Sequence, residues 1–232
     1  ALLAACDPVP PVAPPRLLVL VRATPASAPL GRRIARELLR RGHRALVGAA
    51  DSPPRTVEGE TAGLVVDVAD RVLEPHRHLP LVSADLPHLA VVREPGRHLI
   101  GPAVLPGRSP CLRCDELHRV EAERAWAVVA PQLLRLAPPP ADDELEWRTG
   151  LQLGALVESL LRALVAAERA PAHPLLGGRV TVEATGEVTS CAVPFHDGCG
   201  CRALPRTATP APSSRRGAAA APTRGAARAG RG

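Results

Sequence analysis

The sequence predicts an α/β fold: a mostly parallel sheet with flanking helices, ending in a C-terminal β-hairpin and a structural zinc clip. Three observations predict it. Short continuous apolar runs alternate with segments of helical period, as parallel strands buried on both faces require. Alternation with period two appears only near residues 179–193, where a hairpin fits. Four cysteines fall into two closely spaced pairs, Cys111/Cys114 and Cys199/Cys201.

Leu17-Leu18-Val19-Leu20-Val21 reads as the first strand, buried on both sides. Thr24 to Pro29 form a turn, and Pro29 suits the first helical position, where its missing N–H costs nothing. Leu30, Ile34 and Leu38 recur every fourth residue, with Ala35 and Leu39 beside them, so a helix runs over 30–41. Gly42 is its stop. Ala45-Leu46-Val47 is the second strand, completing a β-α-β unit with a short crossover, the start of a right-handed parallel sheet. Gly63 to Val68 form a third strand, and a weak helix or loop covers 69–83. Leu89 to Val92 and His98 to Ile100 are two more strands. Cys111 to Cys114 sit on a turn, a helix starts at Asp115, and Pro131 limits or kinks it. Pro138 to Asp143 form a loop. Leu153, Leu156, Val157, Leu160, Leu161 and Leu164 mark a periodic helix over 149–168. Arg179 to Glu183 and Glu187 to Val193 flank Thr185-Gly186 as the hairpin.

Length and composition narrow the function. The 232 residues suit one domain or at most two. Aromatic residues make up 1%, which excludes readers that stack single-stranded bases on aromatic platforms. The net charge of +6 sits in the tail: six of the 29 basic residues lie in 203–232, which holds no acid. The rest carries 23 arginines against 23 acids, so no specific nucleic-acid surface is expected. The tail is Ala/Pro/Gly/Arg low complexity and reads as disordered. Residues 1–15 are Pro-rich and read as a linker or a truncated N-terminus; with no initiator Met, a processed chain or a fragment is expected. No apolar run approaches a membrane span, and ALLAAC lacks the basic flank of a signal peptide. A cytoplasmic, reducing location follows, so the cysteines need a purpose other than disulfides.

Cys111, Cys114, Cys199 and Cys201 supply the four thiolates that tetrahedral zinc takes. Gly198 and Gly200 let the chain bend tightly around the second pair. The long interval between the pairs makes the site a clip between a mid-chain loop and a later segment, not a finger. A redox CxxC, disulfides in an exported protein, and unrelated surface thiols are the alternatives. A catalytic zinc is disfavoured, because four thiolates leave no position for water. His118 and His196 lie near the pairs and could replace a sulfur, though a solvated or supporting role fits them better. Cys191, in the hairpin, reads as a small core residue, and Cys6 carries no signal.

Gly101 to Cys114, read GPAVLPGRSPCLRC, with Leu117-His118-Arg119 after it, resembles the zinc-loop segment of ThiF-type proteins. These belong to the superfamily of ubiquitin-activating enzymes. The nearest branch is that of bacteriocin-biosynthesis cyclodehydratases, the leader-peptide-binding proteins of thiazole/oxazole-modified microcins (TOMMs). Pro194 to Cys201 (PFHDGCGC) is similar in the same way. The resemblance covers residues 16–202 and is specific at the two cysteine segments. It implies a Rossmann-like adenylating domain whose typical members bind Mg-ATP. In this branch it implies a protein that binds a precursor's leader peptide and presents it to a YcaO-type cyclodehydratase. It also implies a homodimer. The leader-binding segment of such proteins is N-terminal, and residues 1–15 are too short to contain it.

The nucleotide loop departs from the pattern. The GxGxxG positions read Ala26, Ala28 and Gly31, so only the glycine that lets helix and strand pack closely is present. Two methyls and Pro29 obstruct a phosphate at the helix N-terminus. Asp51 could take a ribose hydroxyl or be a solvated loop acid. Asp67-Val68-Ala69-Asp70 resembles the family's acidic loop, where a carboxylate holds Mg-ATP; acids also simply end strands. No GxSxG, HExxH or P-loop occurs, and no cysteine between Cys114 and Cys191 could serve a sulfur relay. Whether the chain is an enzyme stays open among three readings. One is a ThiF-like partner of a cyclodehydratase with a degenerate nucleotide loop. The second is an active adenylyltransferase of the ThiF/MoeB type using Gly31, Asp51, Asp67 and Asp70. The third is a zinc-stapled α/β interaction domain.

Overall fold

The computed structural model describes residues 17–52, 62–166 and 173–203. The linker 1–15, Cys6 and the tail from 204 onward lie outside the described residues. So does the end of the helix expected to reach 168.

The crossover unit forms as the periodicity dictates. Strand β1 (Leu18–Ala23) is buried throughout, and helix α1 (Ala28–Arg40) follows with Pro29 in its first turn. Leu30, Ile34 and Leu38 are fully buried, while Leu39 turns outward. Gly42 (φ +83°) ends the helix: its N–H donates to Leu39 O and that of His43 to Leu38 O, the paired bonds of a left-handed cap. Strand β2 (Arg44–Ala49) and strand β3 (Leu64–Asp70) pair parallel with β1 on its two sides. Helix α2 (Pro75–Ser83) leads to strand β4 (His88–Glu94), parallel to β3.

The sheet then changes direction. Strand β5 (Arg97–Val104) follows β4 after only Pro95-Gly96, and a two-residue connection can return the chain only antiparallel. Helix α3 (Leu112–Ala122), helix α4 (Trp126–Leu133) and helix α5 (Asp143–Ala166) come next. Strand β6 (Gly178–Glu183) pairs antiparallel with β5, and strand β7 (Val188–Ala192) with β6. Among the described residues the seven strands therefore lie in the order β2-β1-β3-β4-β5-β6-β7.

One sheet face, carrying Val19, Val21, Val66, Val68, Leu89 and Val91, packs on α1 and on Leu153, Val157, Leu160 and Leu161 of α5. The other carries Leu20 and Val65 against Leu81 and Leu86. Cys191 corrects an expectation. It is exposed, because β7 is the edge strand and Cys191 lies beside Arg179, off the face that buries Val180 and Val182. Among the described residues, no helix is long and apolar enough to cross a membrane.

Candidate metal centre and nucleotide crevice

The four paired cysteines converge. Helix α3 begins at Leu112 rather than Asp115, because the CxxC segment itself makes the first turn. Cys111 caps it, the Cys114 N–H donates to Cys111 O at 2.9 Å, and the two side chains share one side of the helix. Cys201 lies in a 3-10 turn, Gly200–Ala203, packed on the same apolar patch as Val104, Leu112 and Phe195. The sulfur of Cys111 is 3.9 Å from that of Cys114 and 3.6 Å from that of Cys199, and those of Cys114 and Cys201 are 3.5 Å apart. All four sulfurs lie within 4.8 Å of one another. A tetrahedral zinc with Zn–S bonds of about 2.3 Å needs sulfurs roughly 3.8 Å apart, so the donor set fits such an ion. The described cysteines are free thiols.

Burial pushes the Cys111 thiol up to about 11 and raises that of Cys201 as well. For Cys114 burial also acts upward. Hydrogen bonds from the backbone at His196 and Cys111 and from the thiols of Cys201 and Cys199 outweigh it, and its thiol is lowered. Crowded, buried thiols of this kind cannot all ionise together without a cation among them.

The two neighbouring histidines are latched outside the cluster. His118 Nε2 donates to Pro194 O at 3.1 Å. The Gly198 N–H donates to His196 Nδ1 at 2.9 Å, which leaves His196 Nε2 to donate to Glu121, also at 2.9 Å. The Nε2 atom of each ring thus ties α3 to the segment before Cys199. Asp115 adds a third tie, accepting from Arg179 of β6 at 2.7 and 2.9 Å. Neither Glu121 nor the Asp115–Arg179 pair was visible in the sequence, since nothing in a pattern of spacing links residues so far apart.

A second cluster of charge lies at the carboxyl ends of β1, β3 and β4, beside the switch point where open α/β sheets bind ligands. Here the residues are already engaged. Asp67 is buried and ion-paired with both Arg22 and Arg77. Burial pushes its carboxyl up, against the pull of the Arg77 and Arg22 guanidiniums. Asp70 accepts from Arg93 at 2.8 Å and from Thr24 Oγ1 at 3.0 Å. Thr24 and Ser27 close the β1–α1 turn on itself: Ser27 Oγ accepts from the Thr24 N–H at 3.0 Å, and Thr24 Oγ1 from the Ser27 N–H at 3.2 Å. Arg93 also donates to Ala26 O at 3.0 Å and lies 3.4 Å from buried Glu146 of α5. Gly31 faces β1; a Cβ there would stand 3.2 Å from Ala23 Cβ, a tight contact that would press the helix off the strand. Asp51 is exposed on the turn after β2, outside this network.

No family model matches the chain, and no curated protein matches it by sequence. Solved structures do match it by shape. A heterocyclase in complex with substrate and cofactor superposes with a TM-score of 0.62 at 16% identity, over 80% of this chain and 25% of that one. The E. coli microcin synthetase McbBCD complex gives 0.55 at 13% identity, over 84% and 72%. E. coli MccB with ATP gives 0.54 at 12% identity, over 81% and 67%. The chain spans only a quarter of the length of the heterocyclase. At such low identity the likeness concerns the fold. The chain shares its α/β fold with these heterocyclase and microcin-synthetase structures.

Proposed function

We propose that this chain is the ThiF-like partner of a peptide cyclodehydratase in thiazole/oxazole-modified peptide biosynthesis, presenting a precursor peptide to a YcaO-type enzyme. The observation that carries the reading is the meeting of the CxxC and CxC pairs in one cluster, on a fold shared with a heterocyclase and with McbBCD. Residues 16–202 make up the working domain, and a reducing cytoplasm suits its free thiols. Cys111, Cys114, Cys199 and Cys201 hold a zinc ion, which supplies structural cross-linking and, with four sulfur ligands, no site for water. Its surroundings support that role, since His118 and His196 brace the two cysteine segments and Asp115 ties α3 to β6.

The nucleotide loop is degenerate in this reading. Asp67 and Asp70 spend their charge on Arg22, Arg77 and Arg93, the β1–α1 turn is bonded to itself, and Pro29 removes one N–H from the helix start. The rival reading is an adenylyltransferase using Gly31, Asp51, Asp67 and Asp70. The likeness to MccB, solved with ATP, favours it. Calorimetry with Mg-ATP on the zinc-loaded chain, with Asp70→Ala alongside, separates the two. A folded, metal-containing sample that takes up no nucleotide supports the partner protein. Saturable binding abolished by Asp70→Ala makes adenylation the function.

A further inference from the structure

A cavity of about 270 Å³ lies on the sheet face away from α1 and α5, between β4 and β5 and the helices α2, α3 and α4. It belongs neither to the cysteine cluster nor to the crevice at the strand ends. Its floor is apolar, with Val92 of β4 and Leu99 of β5, and the indole of Trp126 forms a wall. The volume falls just below the roughly 300–1,000 Å³ of drug-sized sites, so it suits one side-chain-sized body.

Three polar features face this apolar space. His78 is 7% exposed, and its Nδ1 is buried with no hydrogen-bond partner. A buried, unsatisfied ring nitrogen costs free energy unless something else binds it. Arg71 holds a left-handed backbone (φ 65°), a strained conformation for a long side chain, and gives its Nε to Ala137 O at 3.1 Å. Arg113 is exposed and makes no ion pair among the described residues. The lining holds three arginines, Arg71, Arg113 and Arg119, against two acids, Asp115 and Glu116. Asp115 is shared between Arg119 and Arg179, and Glu116 keeps its charge while accepting from Trp126 Nε1 at 2.8 Å. The net charge of the lining is therefore positive.

We propose that this cavity binds an apolar carboxylate, its hydrocarbon or aromatic body against Val92, Leu99 and Trp126, and its carboxylate at Arg71 and Arg113, with one carboxylate oxygen bonded to His78. Burial holds the His78 ring neutral, pushing it down to about 4, so it contributes a hydrogen bond rather than a third charge. The ligand is either a free small acid or a peptide stretch in which a bulky apolar residue precedes an acidic one. The inference does not depend on the zinc or on the nucleotide loop.

The test uses the whole chain and 3-phenylpropionate, with the uncharged 3-phenylpropionamide as its control. Ring resonances of His78, assigned with His78→Gln, are followed by NMR during titration. The acid is expected to shift them saturably, and the amide to bind about tenfold more weakly, because charge-assisted hydrogen bonds are lost. Arg113→Gln and Arg71→Gln are each expected to weaken the acid about fivefold while leaving the amide unchanged. A capped Phe-Glu dipeptide amide that binds more tightly than 3-phenylpropionate assigns the site to a peptide; weaker binding assigns it to a free acid. Equal binding of acid and amide, unmoved His78 resonances, or arginine variants that bind the acid like the parent would each overturn the proposal.

Discussion

Arg93 Nη1 lies 2.8 Å from Asp70 Oδ1, with the arginine side chain almost wholly buried. The Asp70 carboxylate at the end of β3 is thus countered by a cation from the neighbouring strand. The same guanidinium reaches Ala26 O in the β1–α1 turn and approaches Glu146 at the start of α5. One side chain thereby ties together strand end, turn and helix at the carboxyl edge of the sheet.

Removing that guanidinium leaves buried Glu146 and partly buried Asp70 short of charge. Arg93→Met is expected to cost about 3–5 kcal/mol of stability, the usual penalty for breaking a buried pair. Urea denaturation measures it. Adding Glu146→Gln should return part of the loss, because the two residues are coupled. A loss below about 1 kcal/mol in the single variant would mean that the network holds nothing together.

Loss of one sulfur should empty the metal centre. Cys114→Ser and Cys201→Ser are each expected to purify with far less than one zinc per chain and to unfold more easily, since metal binding is coupled to folding. Elemental analysis beside thermal denaturation checks both points. Variants that keep full metal and full stability would show the cluster is not the site. Cys191→Ser, exposed on β7, serves as the control and should change neither.

Stability should fall in mild acid. Burial pushes His78, His88 and His98 each down from 6.5 to about 4. Their ring hydrogen bonds, where present, go to Leu86 O for His88 and to Thr149 for His98. Between those pH values the unfolded chain binds protons that the folded chain refuses. Stability is therefore complete above about pH 6.5 and is lost as pH drops toward 4. Each ring contributes a slope of up to about 1.4 kcal/mol per pH unit. Denaturation midpoints at pH 7 and pH 5 measure it, and His98→Gln should flatten the slope, which acid release of metal alone would not do. Equal midpoints would contradict the buried neutral rings.

The β1-α1-β2 unit was legible because its signal is local: apolar runs, one helical face and a glycine stop. The cysteine pairs were legible because tight spacing is itself chemical information. The reversal at β5 was harder, since an apolar strand reads the same whichever way it runs. Only the two-residue Pro95-Gly96 connection betrays it. Cys191 was misplaced because alternation in a strand does not say which strand will be the edge. The crevice network was invisible for another reason. Arg22 with Asp67, or Arg93 with Glu146, are pairs that only the folded sheet brings together. Composition registers such residues as balanced charge and nothing more.

The distance along the chain between the two cysteine pairs has a consequence for how the protein is made. Cys111 and Cys114 leave the ribosome well before Cys199 and Cys201, with α5, β6 and β7 translated in between. An ion that takes all four sulfurs cannot be fully captured until those later elements have emerged and docked. With zinc bound as proposed, metal occupancy would be a record of completed synthesis: a stalled or clipped nascent chain would hold only half a chelate and would surrender its ion to a competing thiol.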